Sequence, residues 1–423
     1  MRAFLCVAAV AALTPSLSPR CSRRRRHAAT EATEGGDMPT PAPTATPAEA
    51  TTSSTTTRPM TEAEAVEHFR KMQRAADDGA FFADGELASV TTALERLGLG
   101  PDRSAGLKEV LGRAAHLDYK RWHMTRATAA SLANELPPVS DPEFATAFKR
   151  VLEGGNWGAA SICAAARRSN NNDKPWVVLV TGLNGVRKTT AIYEPWFEAA
   201  LKEAITAPDG SKGAPSLPTG ANSFFRQLDF VVATVAMTQF EKLYAITDVA
   251  KYAEAKAAIF ARYRTTSEMV GALLVEEASR IKANVLVETS GRDVGMFNYI
   301  DHFFDNAAYH KLALNFEIDD IAFAEASVDT RMLGEMERGR TAVASGDAGT
   351  VVEANQGGPY GSAVLKGVQA ASRDTWRRIV ANEAGGVGKS WHRAAFRITP
   401  RADAPWTLAA DVAGATAFEF TPR

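Results

Sequence analysis

A lysine followed by two threonines, placed just after a glycine that breaks an apolar run, is a set of groups suited to holding phosphate. The chain carries it in Trp176-Val-Val-Leu-Val-Thr-Gly-Leu-Asn-Gly-Val-Arg-Lys-Thr-Thr190. The run from Trp176 to Val180 is rich in β-branched residues and reads as a buried strand. Ile192, Trp196, Phe197, Ala200 and Leu201 follow at helical spacing. Strand, glycine loop, Lys-Thr and helix make the layout of a phosphate-binding loop. Its chemistry needs these types: loop amides from Asn184 through Gly185, Val186 and Arg187 to Lys188 converge on phosphate oxygens, Lys188 adds a point charge, and the Thr189 hydroxyl ligates Mg²⁺. Thr190 completes the loop's exit. In the pattern G-x-x-x-x-G-K-[ST], Gly182 takes the first place and Lys188-Thr189 the last two, but Arg187 stands where the second glycine belongs. Glycine is favoured there because the backbone bends tightly against phosphate. Arginine either distorts the loop or adds a phosphate contact of its own. The rival reading is an ordinary strand-to-helix turn with a surface lysine.

Two more apolar strands end in polar residues. Asn284-Val-Leu-Val-Glu-Thr-Ser-Gly-Arg-Asp293 places Glu288 at a strand's carboxyl end, where parallel sheets gather functional groups. Glu288 there holds Mg²⁺, directly or through water, or orients the substrate; Arg292 and Asp293 cap the next helix or contact a ligand. A shared pocket requires the Lys188 ammonium and the Glu288 carboxylate to lie close together. The strand Lys311–Ile318 leads into a helix, Phe323–Arg340, bearing Arg331, Arg338 and Arg340. Arginines on such a helix neutralise charge on a transferred phosphoryl group; the alternative is a solvated face partnered by Glu335 and Glu337. Between these strands, Ser216–Asp229 reads as a loop entering a helix capped by Thr219 or Asn222, with Phe225, Leu228, Val232 and Val235 on its buried side. Arg226 and Asp229, three apart, then share a helix face, as a local ion pair or as a pair facing substrate. Asn355–Ser362 is a glycine-rich turn that can offer backbone donors. Gly385-Gly-Val-Gly-Lys-Ser390 imitates the end of a phosphate loop, but Glu383 takes its first glycine's place and a helix precedes it, so it is discounted.

The elements that must position these residues alternate strand and helix, which predicts an α/β fold: a P-loop NTPase (kinase-type) mostly parallel sheet flanked by helices, with an added N-terminal helical region. The chain divides into a targeting peptide at 1–30, a disordered linker at 31–58, the helical region at 59–172 and the P-loop kinase-like domain at 173–423. Ala3–Leu13 is apolar but too short to span a bilayer, and Ser16–Thr30 is basic and free of acid. Together they predict a bipartite plastid address, with the mitochondrion or the secretory pathway as alternatives. Glu31–Arg58 is rich in Thr, Ala, Pro and Ser and lacks the apolar content to pack. In the helical region, Thr61 caps a helix over Ala65, Val66 and Phe69, with further helices over Gly85–Leu97, Ser104–Leu117, Thr125–Leu136 and Pro142–Leu152. Lys120, Arg121, Trp122 and His123 read as a helix face. Which protein partner this region serves is not written in its residues.

With 423 residues, 45% hydrophobic and 23% charged, the chain is an ordinary globular composition. A net charge of −1 gives no argument for nucleic acid or an anionic membrane. Three cysteines, Cys6, Cys21 and Cys163, exclude a disulfide framework, and no Cys/His cluster has metal-ligand spacing.

From Pro175 to Arg340 the order of motifs resembles the zeta-toxin-like branch of P-loop kinases, which takes in chloramphenicol phosphotransferase-like enzymes. Zeta toxins carry a strand ending in Glu-Gly-Thr, and Val287-Glu288-Thr289-Ser290 looks like its counterpart. They also carry an aspartate, the base for the accepting hydroxyl, shortly before a Phe-Arg pair. Here Asn222 stands at about that place, before Ser223-Phe224-Phe225-Arg226, which leaves the base unassigned and Asp229 in reserve. The variant Asn-Gly-x-Arg-Lys-Thr-Thr also looks like that of uncharacterised algal proteins. The resemblance implies an ATP- and Mg²⁺-dependent phosphotransferase acting on a hydroxyl of a small molecule. Lys188, Glu288, Arg331 and Asp229 would be catalytic. Gly182, Asn184–Thr190 and Arg338 would hold the nucleotide, Asn222, Arg226, Arg292 and Asp293 the acceptor, and Thr189 and Glu288 the metal. The alternative is a nucleotide-binding sensor or scaffold with a degenerate loop.

Overall fold

The computed structural model describes residues 60–169, 174–211, 216–355, 357–401, 407–412 and 416–420. The leader and linker read over residues 1–58 lie outside them. Residues 58–423 form one compact unit.

The sheet is α/β and mostly parallel. Its seven strands run in the order β2-β3-β1-β4-β5-β6-β7: β1 (Trp176–Gly182), β2 (Ser223–Arg226), β3 (Asn284–Glu288), β4 (His310–Ile318), β5 (His392–Arg401), β6 (Thr407–Val412) and β7 (Thr416–Phe420). The first five in that order are parallel to their neighbours, and β6 and β7 extend the edge antiparallel. Every residue of β1 is buried, as its unbroken apolar sequence requires of a strand covered on both faces. Register places Val180 beside Glu288 and Gly182 beside Phe316, so β1 and β3 deliver their last residues to one edge.

Two segments differ from their sequence patterns. Ser223–Arg226 is a strand, not the start of a helix; the helix begins at Leu228 and runs to Val235. The apparent helical spacing of Phe225 with Leu228 and Val232 arises because strand and helix both bury those side chains. The false phosphate loop Gly385–Ser390 is a turn entering β5, with Gly385, Gly386 and Gly388 all at positive φ.

The helix Val249–Arg280 is the internal support of the molecule, with buried residues along most of its length. The helices Glu62–Asp77 and Trp122–Glu135 pack on it. Thr61 and Glu64 form a reciprocal capping box at the first helix. Arg262 fixes the next connection, donating to both Glu86 carboxylate oxygens at 2.7 Å and to the carbonyls of Ala80 and Phe81. Among the described residues, no helix is long and apolar enough to cross a membrane.

Candidate active site

The loop after β1 is shaped by three residues at positive φ: Gly182 at 130°, Gly185 at 87° and Arg187 at 64°. A side chain at Gly182 would strike the Phe316 carbonyl and one at Gly185 the Ala324 carbonyl. Arg187 does the conformational work usually given to glycine, at a cost of roughly 1–2 kcal/mol for the left-handed region. The bend at position 187 is thus made without glycine, and Lys188 opens the following helix, Lys188–Ile192. Among the described residues, no backbone carbonyl accepts from the amides of Asn184 to Lys188, which leaves these donors available to an anion. The Arg187 Nε is buried without a partner; burial and the nearby Arg331 guanidinium push its pKa down. An anion beside it would relieve both.

Lys188 is 3% exposed. Its ammonium donates to the carbonyls of Gly182 (2.8 Å) and Leu183 (3.0 Å) and lies 3.0 Å from Glu288 Oε1. The other oxygen of Glu288 is 3.4 Å from the Thr189 hydroxyl. Two oxygen donors at this separation suit a hard cation that keeps most of its shell for phosphate and water, as Mg²⁺ does. No group of three or more His, Cys, Asp or Glu capable of holding a metal occurs among the described residues, so an all-protein cage is not built here. Asp229, one residue into the helix after β2, lies close to the same carboxylate. Burial, and then the Glu288 charge, push its carboxyl above the usual range. Over it sits the Gly357–Tyr360 loop: a side chain at Gly358 would come within 2.9 Å of Asn184 Nδ2 and 3.6 Å of Asp229 Oδ2. Arg331 donates to the Gly358 carbonyl at 3.0 Å and rests 3.5 Å from buried Glu335, which Lys256 holds at 2.7 Å.

These groups line one cavity of about 590 Å³. Seven of its lining residues are cationic and three are anionic, an imbalance that attracts negative ligands. No protein-family model matches the chain, and neither does any curated protein. It is similar to a solved structure from the PezAT chromosomal toxin–antitoxin system of Streptococcus pneumoniae, with 13% identity and a TM-score of 0.33, over 60% of this chain and 78% of that one.

Of the residues singled out in the sequence, Asn184, Gly185, Arg187, Lys188, Thr189, Thr190, Asp229, Glu288, Arg292, Asp293 and Arg331 line the cavity. Gly182 and Val186 support it from behind, Gly182 through its carbonyl and Val186 from the core. Three lie elsewhere. Arg226, on a strand, is 1% exposed and pairs with Glu268 beneath the Tyr299 ring; it shares no helix face with Asp229. Asn222 spends its side chain on local structure, bonding Thr219, Leu217, Ser223 and Asn284. Arg338 is exposed, two helical turns or roughly 10 Å beyond Arg331. Glu335, read as a solvated partner, is fully buried.

Sequence reasoning missed Tyr119, Lys120, Arg150 and Arg264, all on the cavity wall. The first three belong to the N-terminal helical region. Lys120 pairs with Asp293 at 2.8 Å, and Trp122 donates its ring N–H to the Gly295 carbonyl at 3.2 Å. The only signal was the cluster of Lys120 with Arg121, Trp122 and His123; Arg150 gave none.

Proposed function

We propose that this chain is an ATP-dependent phosphotransferase of the zeta-toxin-like kind, acting on a hydroxyl of a small molecule. The observation that carries the reading is the meeting of Lys188, Thr189 and Glu288, with 3.0 Å and 3.4 Å between their polar atoms, at the edge where β1 and β3 end. Mg²⁺·ATP, when bound, would supply the phosphoryl group, and the cation would stabilise its charge. The chain's residues do the rest. Loop amides from Asn184 to Lys188 receive phosphate oxygens. The Lys188 ammonium turns from the carbonyls of Gly182 and Leu183 to the same oxygens. Thr189 and Glu288 supply the protein oxygens of the metal shell. Arg187 and Arg331 neutralise charge that builds on the transferred group. Asp229 Oδ takes the proton of the accepting hydroxyl, and its raised pKa makes it a stronger base than an ordinary carboxylate. Asn222, the position suggested by resemblance, is held in local hydrogen bonds, which favours Asp229 for this role.

Lys188→Ala is expected to lower ATP binding or turnover by about 100-fold or more, read by calorimetry and product assay. Unchanged affinity and turnover in a folded variant would refute the proposal. The left-handed Arg187 favours a second reading, a sensor that binds nucleotide and returns it intact. Mass analysis of ATP after incubation with a panel of metabolites separates the two: the enzyme yields ADP and a phosphorylated acceptor, the sensor neither.

A further inference from the structure

We infer that Lys256 and Glu335, neither of which lines the cavity, are positioning residues for Arg331: the carboxylate backs the guanidinium, and the ammonium keeps the carboxylate from capturing it, so that its charge is left for the phosphoryl group. The inference rests on the phosphotransferase reading and adds two residues that the reading does not use. Lys256 lies on Val249–Arg280, between β2 and β3, and Glu335 lies one turn beyond Arg331 on Ile321–Ser345. Both side chains are fully buried.

Arg331 is enclosed on three sides. Its Nη2 donates to the Gly358 carbonyl at 3.0 Å, and a side chain at Gly357 would come within 2.5 Å of its Nη1. Its Nε is buried 3.5 Å from Glu335 Oε1 and makes no hydrogen bond. An arginine and a glutamate four residues apart on one helix are close enough to join through two parallel hydrogen bonds. That closure is not made here. Glu335 Oε2 instead accepts from the Lys256 ammonium at 2.7 Å, and the repulsion of this second cation offsets part of the carboxylate's pull on Arg331. The Arg187 guanidinium acts on Arg331 from the loop, and the remaining pull of Glu335 opposes that displacement. A buried ion pair adds little stability by itself, because desolvation offsets its attraction, so stability alone does not account for placing one behind Arg331. Without Lys256, Glu335 draws the arginine back and neutralises it. Without Glu335, the repulsion from Arg187 moves it off its place.

The test compares the affinities of ADP and of a non-hydrolysable ATP analogue, each with Mg²⁺, by calorimetry on the full chain; their ratio reports the grip on the terminal phosphate. Lys256→Met removes the ammonium at nearly equal length. It is expected to weaken the analogue about 10-fold while ADP affinity changes less than twofold, which also reports an intact fold. In an Arg331→Ala background the same substitution is expected to leave the ratio unchanged, because its effect runs through the arginine. Should Lys256→Met fail to fold, Lys256→Met with Glu335→Gln leaves no unpaired buried charge and is expected to give the same selective loss; failure of both to fold assigns the pair to stability and overturns the inference. An unchanged ratio in Lys256→Met or in Arg331→Ala overturns it, and so does equal weakening of both nucleotides. A loss that persists in the Arg331→Ala background overturns it too, since Lys256 then acts through packing or through Asp229, whose charge it also feels. In all these outcomes nucleotide still binds and the phosphotransferase reading stands; a parent chain that binds neither nucleotide removes that reading and the inference with it.

Discussion

Arg187 is the residue where sequence pattern and backbone conflict, and the backbone resolves it. A phosphate loop needs a left-handed residue before its lysine, and glycine is preferred because it enters that region without a clash. The chain pays with arginine instead, at φ 64°. Arg187→Gly removes that strain while raising the entropy of the unfolded chain, so the two effects nearly cancel. Stability is expected to move by no more than about 1 kcal/mol, measured by denaturant unfolding, with weaker nucleotide binding from the lost guanidinium. A large loss of stability would mean that the loop depends on the side chain. Asp229 gives a pH prediction. Its carboxyl is raised by burial and by Glu288, so the folded chain keeps its proton to higher pH than the unfolded chain does. Stability is therefore lost as pH rises past the ordinary carboxylate range. Asp229→Asn should melt higher than the parent at neutral pH, with the difference closing in acid, and should lose about 10²–10⁴ in turnover. Retained turnover would remove Asp229 as the base. At this scale, residues that close short loops were legible, because their chemistry depends on spacing. Arg150 was not, because its neighbour Phe230 is remote in sequence.

Among elements, the strands with continuous apolar sequence were legible nearly to their ends, as with Asn284–Glu288. Strand β2 was not. It is four residues long, buried throughout and followed at once by a buried helix, so neither alternation nor a polar break separates the two patterns. The error mattered, because it put Arg226 on the helix that carries Asp229, although that helix begins only at Leu228. Where the first helix docks onto the start of Val249–Arg280, the contact is electrostatic. Glu62 accepts from the Thr247 hydroxyl and amide and from Lys251, and these hydrogen bonds lower its pKa from its ordinary 4.5 to about 2. A lowered carboxyl stabilises the fold above its unfolded value, and that contribution fades as pH falls through the folded one. Glu62→Gln should therefore lower the melting temperature at pH 7, with the gap from the parent closing as pH drops from about 4.5 to about 2. A gap that persists in acid would assign the effect to packing.

For the whole molecule, the α/β class and the mostly parallel sheet were legible from the alternation of strand and helix. How the N-terminal helices meet the sheet was not, since nothing local in Lys120 or Arg262 names a partner some 170 residues away. These helices cover Val249–Arg280 and lend the cavity Tyr119, Lys120 and Arg150. A chain shortened to Asp173–Arg423 is expected to lose cooperative unfolding and to bind the hydrophobic dye ANS, because it bares apolar surface and leaves buried Arg262 without Glu86. A sharp melting transition with no dye binding would show that the sheet half stands alone.

Lys256 anchors Glu335, and Glu335 touches Arg331, while about two turns on from Lys256 the same helix carries Arg264 over the Tyr119 ring on the cavity wall. Val249–Arg280 is in effect a shared axle: a small slide along its length would shift the arginine above the loop and the arginine beside Tyr119 in step, so that the two sides of the cavity would move together rather than in turn.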